Sequence, residues 1–398
     1  MHAVVSAALT FAFLAATDTA DQAEVPDAQA GSLYPFMQAI AEKADHDLSF
    51  LSGRFNDLEE WKTQARSRVF ELLQYDPPKV DFNAEVVERV DCGQYTREKV
   101  HFNTTPEIRV PAYVLIPQGE GPFPAVVALH DHGAFFVWGK EKVVDLPEEH
   151  PSLAEFKSTY YSGRSWATEL AKRGYVVIAI DMFYWGERRL LLRDDPPSYF
   201  DRMSMTADEV LAFNRRSSEK TWMTGVGLWK AGISWAGVML MDDIRTVDYL
   251  ASRPEVDPER IGCCGLSVGG FRSAHLVGLD PRIRAGVVVG WMCTYGDMLK
   301  NHLTSIGPMK IYPGLYGHMD LPDIASMNCP GGLMIIQGTE DLLFPLDGVH
   351  AAYDRISAVY EKAGYPDRFR GVTYEGPHEF NAEMQQKAFD WLDRWLKQ

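Results

Sequence analysis

The segment 265–270 carries the clearest signal for chemistry in this sequence. It reads Gly-Leu-Ser-Val-Gly-Gly, so glycines flank Ser267 two positions before and two positions after it. The apolar run 261–264 precedes the segment, and a helix-like stretch follows it. A sharp strand-to-helix turn of this kind holds a serine in strained backbone geometry and exposes its hydroxyl at the carboxyl edge of a sheet. We therefore predict that Ser267 is a nucleophile and that the backbone N–H of Val268 faces a developing oxyanion.

A serine hydroxyl needs a base to take its proton, and the base needs a partner that holds its tautomer. Asp341 and His378 follow Ser267 in that order, after the β-like runs 333–336 and 369–374. Parallel strands bring such positions to one sheet edge, so the sequence predicts a Ser-His-Asp triad. Glu340 competes with Asp341 for the acid's role, and we favour Asp341 because apolar residues follow it directly.

A second oxyanion donor is expected where the apolar, β-like run 123–130 ends. The sequence there reads His-Asp-His-Gly-Ala over residues 130–134. We predict the backbone N–H of Ala134 as that donor, with Gly133 as the next choice. The imidazoles of His130 and His132 are expected to orient this loop, and His132 is also a candidate substrate contact. Three consecutive side chains cannot all face one ion, so we predict no metal there.

Aromatic residues in two long connections are further candidates for contact with a substrate. Trp185 lies in the cluster 181–189, for which a packed loop with an internal Glu–Arg salt bridge is the simpler interpretation. Trp291 begins the second long connection. The five cysteines show no paired spacing, and neither C-x-x-C nor H-E-x-x-H occurs, so we predict no disulfide framework, no zinc and no cofactor.

The elements that position these residues alternate between strand and helix from about residue 123 onward. This alternation predicts an α/β-hydrolase fold, with a mostly parallel central sheet and helices on both faces. We divide the chain into residues 1–31 (a signal peptide and linker), 32–80 (an N-terminal helical segment) and 81–398 (the catalytic domain). Two connections are too long for simple turns and are predicted to be lid-like insertions, 183–229 and 291–330.

The formal net charge of −16 and the absence of a Lys/Arg block argue against nucleic acid as a partner. Residues 3–16 are apolar and short, too short to span a bilayer comfortably. They favour a signal peptide and export to the periplasm or beyond. The alternative is an apolar helix resting on the body of a cytoplasmic protein. The sequence carries no signal for an oligomeric state.

The chain resembles the dienelactone-hydrolase-like and acetyl-xylan-esterase-like α/β hydrolases from about residue 32 to its end. The resemblance rests on residues 129–133 (LHDHG), 186–189 (GERR), 265–270 (GLSVGG), Asp341 and 377–380 (PHEF). It implies hydrolysis of small-molecule carboxylic esters through an acyl-enzyme, without a cofactor. Dienelactone hydrolases proper carry a cysteine nucleophile where this chain has a serine, which favours ordinary esters over dienelactone.

Two other functions remain open from the sequence. One is cleavage of an amide or a carbon–carbon bond by the same triad on the same fold. The other is a binding protein that keeps the fold without catalysis, which the presence of all three triad residues makes less attractive.

Overall fold

The computed structural model describes residues 25–397. The apolar run 3–16, and with it the predicted signal peptide, lies outside these residues. None of the helices among them combines the length and the apolar character that a membrane span requires.

A nine-stranded sheet forms the centre of the described chain, in the order β1-β2-β3-β5-β4-β6-β7-β8-β9. The pairs β1–β2, β2–β3 and β3–β5 are antiparallel. The remaining neighbours in the sheet, from β5 through β4 to β9, pair in parallel. The central strands are apolar throughout because helices cover both of their faces. Their bounds are β1 Glu85–Asp91, β2 Tyr95–Asn103, β3 Arg109–Pro117, β4 Phe123–Leu129, β5 Val176–Ile180, β6 Val256–Leu266, β7 Ile283–Val289, β8 Gly332–Gly338 and β9 Phe369–Tyr374.

The helices confirm the predicted α/β-hydrolase class, with helices packed on both faces of a mostly parallel sheet. Their bounds are α1 Tyr34–Ala41, α2 Leu58–Leu73, α3 Pro151–Tyr161, α4 Trp166–Lys172, α5 Ala207–Lys230, α6 Trp235–Ala251, α7 Val268–Leu279, α8 Tyr295–Met298, α9 Leu321–Ser326, α10 Leu346–Lys362 and α11 Ala382–Leu396.

The strand order reverses direction around β4. After β4 the chain adds β5 on one side, and then crosses over to place β6 on the other side. In open α/β sheets, ligands bind at the carboxyl ends of the strands where the order reverses in this way. The loop after β4 and the turn after β6 are therefore neighbours at the place where a site is expected.

Strand β1 and helix α5 are among the elements that were not predicted from the sequence, and each has a physical reason. Strand β1 lies at the sheet edge and is exposed along almost its whole length, so it has no buried face to give a periodic pattern. Helix α5 occupies 24 residues, mostly within the predicted insertion 183–229. It begins with a capping box in which Thr206 and Glu209 satisfy each other's backbone N–H groups.

A buried ion pair ties helix α6 to helix α7, the helix that follows Ser267. The Arg272 Nε donates to Asp243 at 2.9 Å, and both side chains are inaccessible to solvent. Removing one partner of such a pair leaves a charge in the interior without compensation.

We predict that Asp243→Ala lowers the free energy of unfolding by about 3–5 kcal/mol, measured as a shift in urea denaturation. Glu259→Ala is the matched control, because Glu259 pairs with Arg284 at 2.6 Å in solvent, where such pairs contribute at most about 1 kcal/mol. Equal effects of the two substitutions would contradict the argument from burial.

Candidate active site

Ser267 occupies the sharp turn between β6 and α7, as its sequence context predicts. Its backbone has φ 60° and ψ −120°, a region that residues other than glycine rarely adopt. The Ser267 N–H donates to the carbonyl oxygen of Val289 on the neighbouring strand β7, at 2.8 Å. The strained residue is thus held in place from the adjacent strand.

The glycines around Ser267 are required by close contact between backbones. A Cβ on Gly269 would lie 2.0 Å from the carbonyl oxygen of Leu129, the last residue of β4. A Cβ on Gly265 would lie 2.5 Å from the same oxygen. Only glycine at both positions lets the turn at Ser267 approach the end of β4 this closely.

His378 contacts Asp341 at the carboxyl edge of the sheet. The His378 Nδ1 lies 2.6 Å from Asp341 Oδ2. The same carboxylate accepts a hydrogen bond from the side-chain amide of Gln337 at 2.6 Å and from the Leu343 N–H at 3.0 Å. The competing Glu340 is exposed, and its backbone N–H donates to Gly376. Sequence reasoning missed Gln337, because a polar residue inside β8 carries no periodic signal.

The other ring nitrogen of His378 is free for a reaction. Its Nε2 is buried and has no hydrogen-bond partner among the described residues. Gly290, just after β7, makes room for this ring, because a Cβ there would lie 2.9 Å from His378 Cε1. Gly290 is a second residue of the site that the sequence did not reveal.

Ser267 and His378 line one cavity of about 310 Å³. The loop after β4 forms one wall of it with His132, Gly133 and Ala134. Both predicted insertions contribute further lining residues: Thr221 from helix α5, and residues 304–305 and 307–310 from the second insertion. The two insertions also pack against each other, since a Cβ on Gly225 would lie 2.8 Å from the side chain of Pro308.

The loop after β4 is fixed by buried hydrogen bonds. His130 accepts from the Met182 N–H at 3.1 Å, and its Nδ1 lies 2.9 Å from the carbonyl oxygen of Asp131. Asp131 accepts from Tyr161 at 2.5 Å and pairs with Lys142 at 3.2 Å. These contacts agree with an orienting role for His130.

The two predicted oxyanion donors differ in their surroundings. Val268 is the first residue of α7, so its N–H is one of those that have no acceptor within the helix. The Ala134 N–H, in contrast, donates to His132 Nδ1 at 2.9 Å. Gly133 and Ala134 both have positive φ, 53° and 50°, and this turn directs the Ala134 N–H back onto the ring. In this structure that donor is engaged within its own loop, contrary to our expectation.

Of the three predicted substrate contacts, His132 lines the cavity and the two tryptophans do not. Trp185 is fully buried behind the loop and donates from its indole N–H to the carbonyl oxygen of His132. Trp291 is 1% exposed and packs between Phe271 and Phe344. The predicted contacts of Trp185 and Trp291 with substrate are therefore corrected to packing beneath the cavity wall.

Three carboxylates lie close enough together to hold a metal ion: Glu141, Asp181 and Glu187. The ammonium of Lys140 occupies their midst, at 3.0, 2.7 and 2.6 Å from the three groups. This cation already supplies the positive charge that a metal would bring. Glu187 thus pairs with Lys140, and the internal Glu–Arg bridge predicted for residues 181–189 is wrong because the partner comes from a distant loop.

The fold and the site together define the class of α/β hydrolases. A model of the dienelactone hydrolase family matches residues 162–398, and a model of an Abhydrolase family matches residues 16–204. The first match covers more than half of the chain, so the chain belongs to the dienelactone hydrolase family and is a hydrolase. The Bacillus subtilis (strain 168) protein YtaP, which carries the name of a hydrolase, is 26% identical over 337 residues, 84% of this chain and 100% of its own length.

Solved structures of low sequence identity share the fold. One is a Bacteroides fragilis NCTC 9343 protein described as an acetyl xylan esterase, with TM-score 0.62, 19% identity and coverage of 87% of this chain and 84% of its own. Another is a glucuronoyl esterase from Solibacter usitatus, with TM-score 0.58, 13% identity and coverage of 87% and 96%. A third is the methylesterase BT1017, with TM-score 0.56, 18% identity and coverage of 93% and 69%.

We predict that Gly269→Ala displaces the turn at Ser267, because its Cβ would overlap the Leu129 carbonyl. The expected result is a loss of stability of about 1–3 kcal/mol or more, measured by denaturation. Gly227→Ala in helix α5 is the matched control, since a Cβ there meets nothing within 4 Å and alanine favours a helix by about 1 kcal/mol. A Gly269→Ala variant as stable as Gly227→Ala would contradict the close-contact argument.

Proposed function

We propose that this hydrolase cleaves carboxylic esters through an acyl-enzyme formed on Ser267. The observation that carries the proposal is the arrangement of His378. Its Nδ1 lies 2.6 Å from Asp341, and its Nε2 is left without a partner beside the cavity that Ser267 lines. This is the geometry of a base whose tautomer is fixed from behind and whose second nitrogen can take a proton.

In the proposed reaction, His378 Nε2 removes the proton of the Ser267 hydroxyl as its oxygen attacks the ester carbonyl. The imidazolium that forms is stabilised by Asp341. It then protonates the departing alcohol, and a water molecule attacks the acyl-enzyme by the same base-assisted route. Every proton taken from a nucleophile is returned to a leaving group, so the cycle needs no cofactor.

The oxyanion of each tetrahedral intermediate needs hydrogen-bond donors. The Val268 N–H at the start of α7 is the first, aided by the positive end of the helix. Because His132 Nδ1 accepts from Ala134, a neutral His132 carries its proton on Nε2 and is a donor on the cavity wall. Burial, with Lys310 and Lys142 nearby, holds the pKa of His132 well below its usual value, so the ring stays neutral. The Ala134 N–H can act as the second donor only if its hydrogen bond to His132 Nδ1 breaks.

Several considerations favour an ester over another bond. The acetyl xylan esterase, the glucuronoyl esterase and the methylesterase that share this fold are all named for ester substrates. An oxygen nucleophile, rather than the cysteine of dienelactone hydrolases proper, suits ordinary esters. No feature of the described cavity favours an amide or a carbon–carbon bond.

A fluorophosphonate probe should label Ser267 covalently, because the probe reacts with activated serines. Intact-mass measurement should show one adduct in the native chain and none in Ser267→Ala. Labelling of both proteins to the same extent would reject Ser267 as the nucleophile.

Asp341→Asn should lower kcat for p-nitrophenyl acetate by roughly 10⁴-fold, because the amide no longer holds His378 in the productive tautomer. Glu340→Gln is the matched control, since its side chain is exposed and the carboxylate that His378 Nδ1 contacts is that of Asp341. We expect its kcat to stay within about twofold of the native value. A comparable loss of kcat in both variants would contradict the assignment of Asp341 as the acid that orients His378.

A further inference from the structure

Lys310 is a buried cation on the wall of the candidate active site. It lies in the second insertion, it is 8% exposed, and it lines the same cavity as Ser267 and His378. Its Nζ sits 5.1 Å from the centre of the Trp291 ring, over the ring face. Among residues 25–397 it has no carboxylate within ion-pair distance.

The other buried lysines of the described chain differ from Lys310 in this respect. Each has a carboxylate partner: Lys62 pairs with Glu59, Lys140 with three acids, Lys142 with Asp131, and Lys157 with Glu149. A buried charge is costly unless it is paired, so natural proteins rarely keep one without a reason. Lys310 is thus the exception among five, and it is the one that faces the cavity.

Burial without a counter-ion lowers the pKa of Lys310 to about 8. At pH 7 most molecules therefore still carry the ammonium. The other titratable groups on the cavity wall do not neutralise it. Asp131 is engaged by Lys142 and Tyr161, and His132 is neutral. The wall also contains His378 and Tyr160, neither of which is a carboxylate.

We propose that Lys310 binds a carboxylate of the substrate, so that the preferred substrates are esters with a free carboxylate on the acyl or the alcohol part. The inference rests on the proposed esterase function and narrows its substrate class. A bound carboxylate supplies the missing partner of the ammonium through a charge-assisted hydrogen bond. The hydroxyls of Thr221, Thr304 and Ser305 on the same wall are suited to other polar groups of such a substrate.

Two pairs of chromogenic or spectroscopically distinct esters test the proposal. Mono-p-nitrophenyl succinate and its neutral methyl ester place the charge on the acyl side. Acetoxybenzoate and its methyl ester place it on the alcohol side. We expect the native protein to favour the charged member of one pair by at least about tenfold in kcat/KM, mainly through KM.

Substitution of Lys310 should remove this preference. In Lys310→Met the ratio of kcat/KM between charged and neutral esters is expected to fall at least about tenfold, and Lys310→Arg should retain part of it. Lys300→Met is the matched control, because it removes an exposed lysine of the same insertion that does not line the cavity. Its ratio should equal that of the native protein. An unchanged ratio in Lys310→Met would overturn the inference.

The preference should also depend on pH with a defined sign. Lys310 is charged below its pKa of about 8 and neutral above it. The ratio between charged and neutral esters is therefore expected to be highest below pH 8 and to decline above it. In Lys310→Arg this decline should vanish, because a guanidinium keeps its charge. If Lys310 had only a structural role, the native protein and Lys310→Arg would show the same pH dependence of this ratio.

Binding measurements separate this inference from the proposed function. Calorimetry with monomethyl succinate and with acetoxybenzoate on the Ser267→Ala background reports the anion contact on either side of the ester without turnover. At least about tenfold weaker binding of one of these two ligands after adding Lys310→Met supports the inference, and equal binding of both overturns it. If the native protein cleaves none of the four esters, the esterase proposal fails, while this binding result still decides the role of Lys310.

Discussion

The candidate site depends on one contact between backbones, where the turn after β6 meets the end of β4. The Leu129 carbonyl oxygen occupies the space that a Cβ on Gly269 would need. Because neither side chain nor solvent separates the two segments, the strained Ser267 and the loop after β4 are held against each other. The position of Ser267, the proposed nucleophile, and that of the opposite cavity wall are therefore set by the sheet itself. The other residues of the candidate site are added to this fixed pair.

The candidate residues whose positions the sequence predicted are those whose proposed role requires a particular local geometry. Ser267 needs glycines around it, and Asp341 and His378 need to follow buried strands, so each leaves a pattern in nearby residues. Trp185 and Trp291 left no such pattern. An aromatic residue in a loop can face a cavity or pack behind its wall, and only the tertiary structure distinguishes the two cases.

Contacts that join distant parts of the chain were the ones that the sequence could not supply. The sequence predicted that Glu187 pairs with a neighbouring arginine, but its partner Lys140 lies 47 residues earlier in the chain. Gly290 makes room for the ring of His378 from the end of a different strand. Gln337 is a local exception: it lies only four residues before Asp341, and it was missed because a polar residue inside a buried strand carries no periodic signal. Lys310 gave no signal at all, because what distinguishes it is the lack of a partner, and a missing contact has no sequence pattern.

The net charge of −16 and an anionic substrate are compatible on physical grounds. The exposed acids act on an approaching anion through water and salt, which screen charges beyond about 8 Å at physiological ionic strength. An ammonium inside a cavity acts at contact, where screening is weak and each charge pair counts for more. A polyanion such as nucleic acid leaves most of its charge outside the cavity and meets the acidic surface. In the proposed complex a small carboxylate lies inside the cavity at contact with Lys310, whereas the surface acids act on it only through screening solvent.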